Sequence, residues 1–272
     1  MLSTAAEILA GGRAVAAFNV ITLEYAQGIV AGAVARRSPV LLSVSHNAVR
    51  YHGSLAPIAA ACLALADAAD VPVGLHLDHC EDPALIEHAI DLGFGSVMID
   101  ASTLPYDDNV ELTARVAELG RSRGVWVEAE LGEIGGKDGA HAPGVRTDPA
   151  EAAEFVAATG VDGLAVAVGT SHAMTARDAR PDVALIESLA TAVPVPLVLH
   201  GSSGVPDAAL AEAVAAGIRK VNVGTQLSVD YSDALRAGLA DGKADPRAAL
   251  TAARASIQST VERLVGVITS VS

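Results

Sequence analysis

The stretch "HLDHC" sets His76, Asp78 and His79 within four residues, at the end of a run, "VPVGL", that otherwise has the character of a buried strand. Two more histidines close comparable runs: His172 after "GLAVAVGTS" and His200 after "PLVL". Three neutral imidazole nitrogens that leave one position open describe a catalytic zinc site, at which the ion polarises a carbonyl or activates water. A carboxylate beside such a site is an acid–base group. Each histidine read alone fits a hydrogen-bonded core residue as well; three at strand ends favour a common centre.

Other apolar runs also end in polar groups: Asn19, Ser45, Asp100, Glu128 with Glu130, and Asn222. His76 reads as a buried, hydrogen-bonded residue inside its strand. Asp78 directly precedes His79, so on a regular strand the two would face opposite sides. They share one site only if the chain is already turning there; otherwise Asp78 caps the next helix. His52 and His88 read as helix-surface or loop residues, while His46 and His141 fall in loops able to approach a substrate. "HGSSG" (200–204) and "NVGT" (222–225) combine hydroxyls with glycine-freed backbone N–H groups, a pattern suited to phosphate.

These residues need elements to position them. Short β-branched runs alternate with helical patterns to the end of the chain. The runs are 14–20, 39–45, 72–79, 95–102, 125–133, 163–169, 196–204 and 219–226. Between them, "DPALIEHAIDLG" and "DPAEAAEFVAATG" each carry an Asp cap, a Pro at the first turn and a Gly past the end. Gly93, Gly160 and Gly217 mark a loose period of about thirty residues, as successive βα units require. Eight units predict an α/β fold, a (β/α)8 TIM barrel forming one domain over 1–272, with extra C-terminal helices from about Asp230. A doubly wound open sheet would carry a glycine fingerprint in its first βα turn, and "AFNVITLE" has no glycine. In a barrel, reactive groups sit at the carboxyl ends of strands, where the polar residues above fall.

Composition narrows the function classes. The 272 residues are 51% hydrophobic but 3% aromatic, the diet of helices on parallel strands, and the net charge of -14 repels nucleic acid and anionic membranes alike. An anionic substrate must then be held by local donors. Cys62 and Cys80 form no CxxC pair, which argues against a disulfide framework or a thiolate zinc site. Without an eighteen-residue apolar window or a basic leader, the expectation is a cytoplasmic protein with no membrane partner.

With these residues in view, the chain resembles the class II, zinc-dependent fructose-bisphosphate and tagatose-bisphosphate aldolases over nearly its whole length. The matching segments are "AFNV", "SPVLLSVS", "HLDHC", "MIDAS", "VEAELGEIGG", "TDPAEAAEFVAATGVDGLAVAVGTSH", "PLVLHGSSGVP", "KVNVGT" and "DPR". The resemblance implies that His79, His172 and His200 ligate one zinc ion, with Asp100 and Glu130 near an alternative metal position and with room for a monovalent cation. It implies Asp78 as the acid–base group at the C4 oxygen and Asp138 as the second, in a loop where the family has Glu. Gly201, Ser203, Asn222, Gly224 and Thr225 would hold dihydroxyacetone phosphate, with Asn19 and Ser45 also touching substrate. Arg247 would reach the distal phosphate from a neighbouring subunit, so a homodimer or homotetramer is expected. The implied reaction is reversible cleavage of a ketose 1,6-bisphosphate to dihydroxyacetone phosphate and an aldehyde such as glyceraldehyde 3-phosphate.

Three positions depart from the family pattern. Ala173 replaces a glycine, Asp138 a glutamate, and His46-Asn47 a Glu-Gly or Asn-Gly pair. Alternatives therefore stay open: an aldolase for another phosphorylated ketose or a keto acid, a metal hydrolase on the same barrel, or a non-catalytic sugar-phosphate binder. Gly224, where fructose-selective relatives carry Asp, favours the tagatose type with relaxed aldehyde choice. A Schiff-base aldolase needs a lysine inside the barrel. Of Lys137, Lys220 and Lys243, two fall in loops, and Lys220 is expected at the wrong end of strand eight.

Overall fold

A computed structural model describes residues 1–131, 146–171, 176–240 and 242–270. Eight parallel strands close into a barrel in sequence order. They are β1 (Val15–Asn19), β2 (Val40–Ser45), β3 (Val73–Cys80), β4 (Ser96–Ile99), β5 (Trp126–Leu131), β6 (Gly163–Val166), β7 (Leu197–Leu199) and β8 (Ile218–Val223). The helices are α1 (Ala5–Leu9), α2 (Leu23–Arg36), α3 (His46–His52), α4 (Ala56–Ala68), α5 (Pro83–Asp91), α6 (Tyr106–Arg123), α7 (Pro149–Thr159), α8 (Val183–Ala192), α9 (Asp207–Ala216), α10 (Thr225–Leu239) and α11 (Arg247–Thr269). The expected barrel is present, and so are the predicted caps. Asp82 accepts from the Ala84 N–H at the start of α5, Asp148 from those of Ala150 and Glu151 at the start of α7, and Gly160 closes α7 in the left-handed conformation.

Four strands end three or more residues before their sequence runs, β6 among them at Val166. After Ile99, Leu199 and Val223 the chain leaves the sheet, "SSG" becomes a 3-10 turn, and α10 starts at Thr225, before the predicted Asp230. Ladder pairing stops where the polar mouth begins, because groups there bond to one another rather than to a neighbouring strand.

The floor of the barrel is apolar and the mouth is not. Val15, Ala17, Leu41, Met98, Trp126, Ala165 and Val198 pack together inside, and Ala5 and Ile8 of α1 join them from outside the strand starts. α1 is fixed there by a capping box in which Thr4 Oγ1 accepts from Glu7 N–H and Glu7 returns the bond. Small residues let α11 close against α2: a Cβ on Gly28 would lie 2.8 Å from Arg254 O, and one on Gly32 2.7 Å from Val261 Cγ1. Among the described residues no single helix is long and apolar enough to cross a membrane.

Candidate active site

The end of β3 departs from strand geometry. Its pairing with β4 slips between Leu77 and Cys80, and His79 has φ +48°, a conformation costing a non-glycine residue about 1–2 kcal/mol. That turn cancels the alternation that would separate neighbours. Asp78 and His79 both enter the barrel mouth, so Asp78 is a site residue and Asp82 does the capping.

Carboxylates orient His79 and His200, the two of the three expected zinc ligands that lie among the described residues. His79 Nδ1 lies 2.8 Å from Asp100 Oδ2, and His200 Nε2 lies 2.8 Å from Glu128 Oε1. Each nitrogen therefore donates to a carboxylate, which leaves the other nitrogen of each ring as a lone-pair acceptor. Those two, His79 Nε2 and His200 Nδ1, face each other at 2.8 Å. Around this contact, Asp78, His79 and His200 offer ligand atoms that all lie within 4.8 Å of one another. The donor set fits a divalent metal such as zinc. His79, Asp100 and Glu130 form a second group of the same kind around the same imidazole. His172 lies outside the described residues, as does Asp138.

Asp78 is 2% exposed and accepts from two amides, Asn19 Nδ2 at 3.2 Å and Asn222 Nδ2 at 3.0 Å. Burial alone would push its carboxyl up. The charges of the His79, His200 and His76 rings when protonated, and of the Lys220 ammonium, outweigh that and hold it well below the usual carboxylate range. It is thus kept as a proton acceptor. The two asparagines expected at substrate are committed to this carboxylate.

Beneath the mouth lies a buried polar layer. Lys220, Glu128, His76 and Ser96 are all fully buried. Lys220 Nζ donates to Glu128 Oε2 at 2.8 Å and Asn222 Oδ1 at 2.7 Å. This corrects the expectation for Lys220: it enters β8 low, but it shares parity with Asn222, and its four-carbon stem carries Nζ up to that residue. Glu128 was visible as a strand-end carboxylate and carried no role; its parity with Glu130 would have placed it inside. His76 is the buried layer residue expected. Its Nδ1 meets Ser96 Oγ at 2.9 Å, and burial and the Lys220 charge push it down to about 3.

The remaining candidates surround this centre. Gly201 sits at φ +66°, and a Cβ there would lie 2.6 Å from Ser171 O, so the loop after β7 passes close over the loop after β6. Ser203 Oγ accepts from Gln226 N–H at 3.0 Å, joining the 3-10 turn to α10, which Thr225 begins and Gly224 precedes. Ser45 Oγ accepts from Ala48 N–H as the cap of α3, and His46 Nδ1 accepts from Glu81 N–H at 3.4 Å. Arg247 opens α11, exposed and paired with Asp245, Nε lying 2.9 Å from Oδ2. Cys62 and Cys80 are buried thiols pushed up to about 12, and neither takes part.

Fold and site together define a (β/α)8-barrel enzyme whose strand ends gather imidazoles and carboxylates into one cluster of potential metal ligands. The chain belongs to the fructose-bisphosphate aldolase class-II family, whose model matches residues 1–272. It is 40% identical over 261 residues, 94% of this chain and 91% of the other, to a fructose-bisphosphate aldolase of Geobacillus stearothermophilus. It is 38% identical over 262 residues, 94% and 92% of the two chains, to the D-tagatose-1,6-bisphosphate aldolase subunit GatY of Klebsiella oxytoca. Among solved structures it superposes on the YdjI aldolase of Escherichia coli K12 with TM-score 0.88 and 29% identity, covering 100% of this chain and 98% of the other. It is an aldolase-class lyase by family.

Proposed function

We propose that this enzyme reversibly cleaves a ketose 1,6-bisphosphate, of tagatose or fructose type, to dihydroxyacetone phosphate and a phosphorylated aldehyde, with one zinc ion. The convergence of His79 Nε2 and His200 Nδ1 beside the ionised Asp78 carries this reading. His172 is the third nitrogen, a role supported by its neighbour Ser171 lying against Gly201, the neighbour of His200. Asp100 and Glu130 serve a second metal position around His79.

Zinc at this site supplies a Lewis acid that withdraws electrons from the ketose carbonyl. The protein does the rest. Asp78, fixed by Asn19 and Asn222, takes the C4 hydroxyl proton as the C3–C4 bond breaks. Asp138 returns a proton to C3 of the product half. Gly201, Ser203, Gly224 and Thr225 hold its phosphate at the mouth of β7 and β8, with Asn222 between that group and Asp78. Ser45 and the neighbouring subunit's copy of Arg247 hold the distal group, which makes the active species at least a dimer. A monovalent cation beside the phosphate loop completes the reading.

Chelation should abolish turnover of tagatose and fructose 1,6-bisphosphates, Zn²⁺ or Co²⁺ should restore it, and borohydride added with substrate should leave the enzyme active. Metal-independent turnover, or a borohydride-trapped lysine adduct, would overturn the assignment.

A further inference from the structure

We infer that Lys220 is a positioning residue that sets the metal-facing imidazole of His200 and the base Asp78 at the same time. The inference rests on the aldolase reading of the site.

The protons of Ser96, His76 and Lys220 in the layer below the mouth can be assigned in turn. Ser96 Oγ donates to Leu75 O at 3.2 Å, so it accepts from His76 Nδ1–H at 2.9 Å. His76 Nε2 then carries a lone pair, and it lies 3.4 Å from Lys220 Nζ. The three N–H groups of the ammonium meet three acceptors: Glu128 Oε2, Asn222 Oδ1 and His76 Nε2. An amine held in this way has no lone pair to attack a carbonyl. A lysine inside this barrel is therefore no Schiff-base nucleophile, although its depth alone would suggest one.

Two arms leave Nζ. Along the first, Glu128 gives Oε2 to Lys220, which turns Oε1 to His200 Nε2 at 2.8 Å and points His200 Nδ1 at His79. Along the second, Asn222 gives Oδ1 to Lys220 at 2.7 Å, so its amide can present only Nδ2 to Asp78, at 3.0 Å. Without the ammonium the amide is free to flip, which would set a carbonyl oxygen against a carboxylate. The carboxylate of Glu128 would also lose its buried counter-charge. The first loss acts on Asp78 and the second on His200, and neither removes a group that touches substrate.

The test compares wild type, Lys220→Met and Lys220→Met/Glu128→Gln. The double variant removes both buried charges, so it keeps a neutral core if the single one does not fold. In whichever variant folds, kcat should fall about 10–100-fold, the range for losing an outer-shell partner, with KM within about threefold. The visible spectrum of the Co²⁺-loaded variant should differ from wild type. The chain has three lysines, so ¹⁵N-lysine labelling gives wild type three Nζ signals, and the one missing from the variant belongs to Lys220. That signal should shift when Zn²⁺ is added to metal-free wild type, a readout that needs no variant to be active. A folded variant with wild-type kcat and cobalt spectrum, or a Lys220 signal indifferent to zinc in a wild type that binds it, would overturn the inference. A wild type that neither binds zinc nor cleaves either bisphosphate would instead overturn the aldolase reading.

Discussion

His79 Nδ1 and Asp100 Oδ2 lie 2.8 Å apart, and Ser102 Oγ donates to the other Asp100 oxygen at 2.7 Å. Asp100 is thereby fixed before it fixes the imidazole, and its charge favours the tautomer with the proton on Nδ1. Asp100→Asn keeps the shape but can present an N–H to Nδ1 and so stabilise the wrong tautomer. Zinc affinity should fall about 10–100-fold with an unchanged melting temperature of the metal-free protein. Titration against a chelating dye measures this. An affinity equal to wild type would show that the ring needs no such partner.

In the proposed reaction Asp78 and Asp138 would fail differently, because one would support bond cleavage and the other only proton transfer at C3. Asp78→Ala should lose about 10²–10⁴-fold in cleavage while keeping its zinc. Asp138→Ala should slow solvent exchange of the C3 proton of dihydroxyacetone phosphate. Unchanged exchange would transfer that role to another group, of which His141 is a candidate.

The barrel was legible because eight apolar runs, their Asp-Pro helix starts and the polar strand ends repeat one instruction. The site was legible only in part. "HLDH" shows two ligand-type residues that strict alternation separates, and nothing in the four letters announces a left-handed histidine; the slip at Leu77–Cys80 decides it. Lys220 was misplaced for a different reason. Its depth was judged from where its backbone enters the strand, whereas parity with Asn222 and a long stem determine where its charge ends up. Glu128 and Glu130 look alike in sequence, and only the neighbours supplied by the fold give one to Lys220 and His200 and leave the other near His79.

The contact of α2 with α11 should be intolerant of one methyl group. Alanine is ordinarily the better helix former by about 1 kcal/mol. At Gly28 its Cβ would meet Arg254 O and Ile257 Cβ at 2.8 Å, one a backbone atom and the other the root of a side chain. Gly28→Ala should therefore destabilise by about 1–3 kcal/mol, read from urea unfolding, without altering zinc affinity. A gain in stability would mean that the helices separate at little cost.

Arg247 supplies the sharpest test of substrate choice. In the single chain it is 87% exposed and bound to Asp245, and a surface pair of this kind holds a side chain weakly. In the proposed dimer, a phosphate presented across the subunit interface would therefore take the guanidinium from Asp245 at small cost. Losing one charge-assisted contact of that type weakens binding about tenfold or more. Arg247→Ala should lower kcat/KM on tagatose and fructose 1,6-bisphosphates by that factor and leave the corresponding 1-phosphates nearly unchanged. Asp245→Ala, which removes the competitor, should not reduce it. An equal loss on bisphosphates and monophosphates would place the arginine's effect in the fold or the assembly, and sedimentation of the variant would separate those two. No loss on either would leave the distal phosphate to Ser45 and the residues of α3, where His46 and Asn47 replace the family's usual pair.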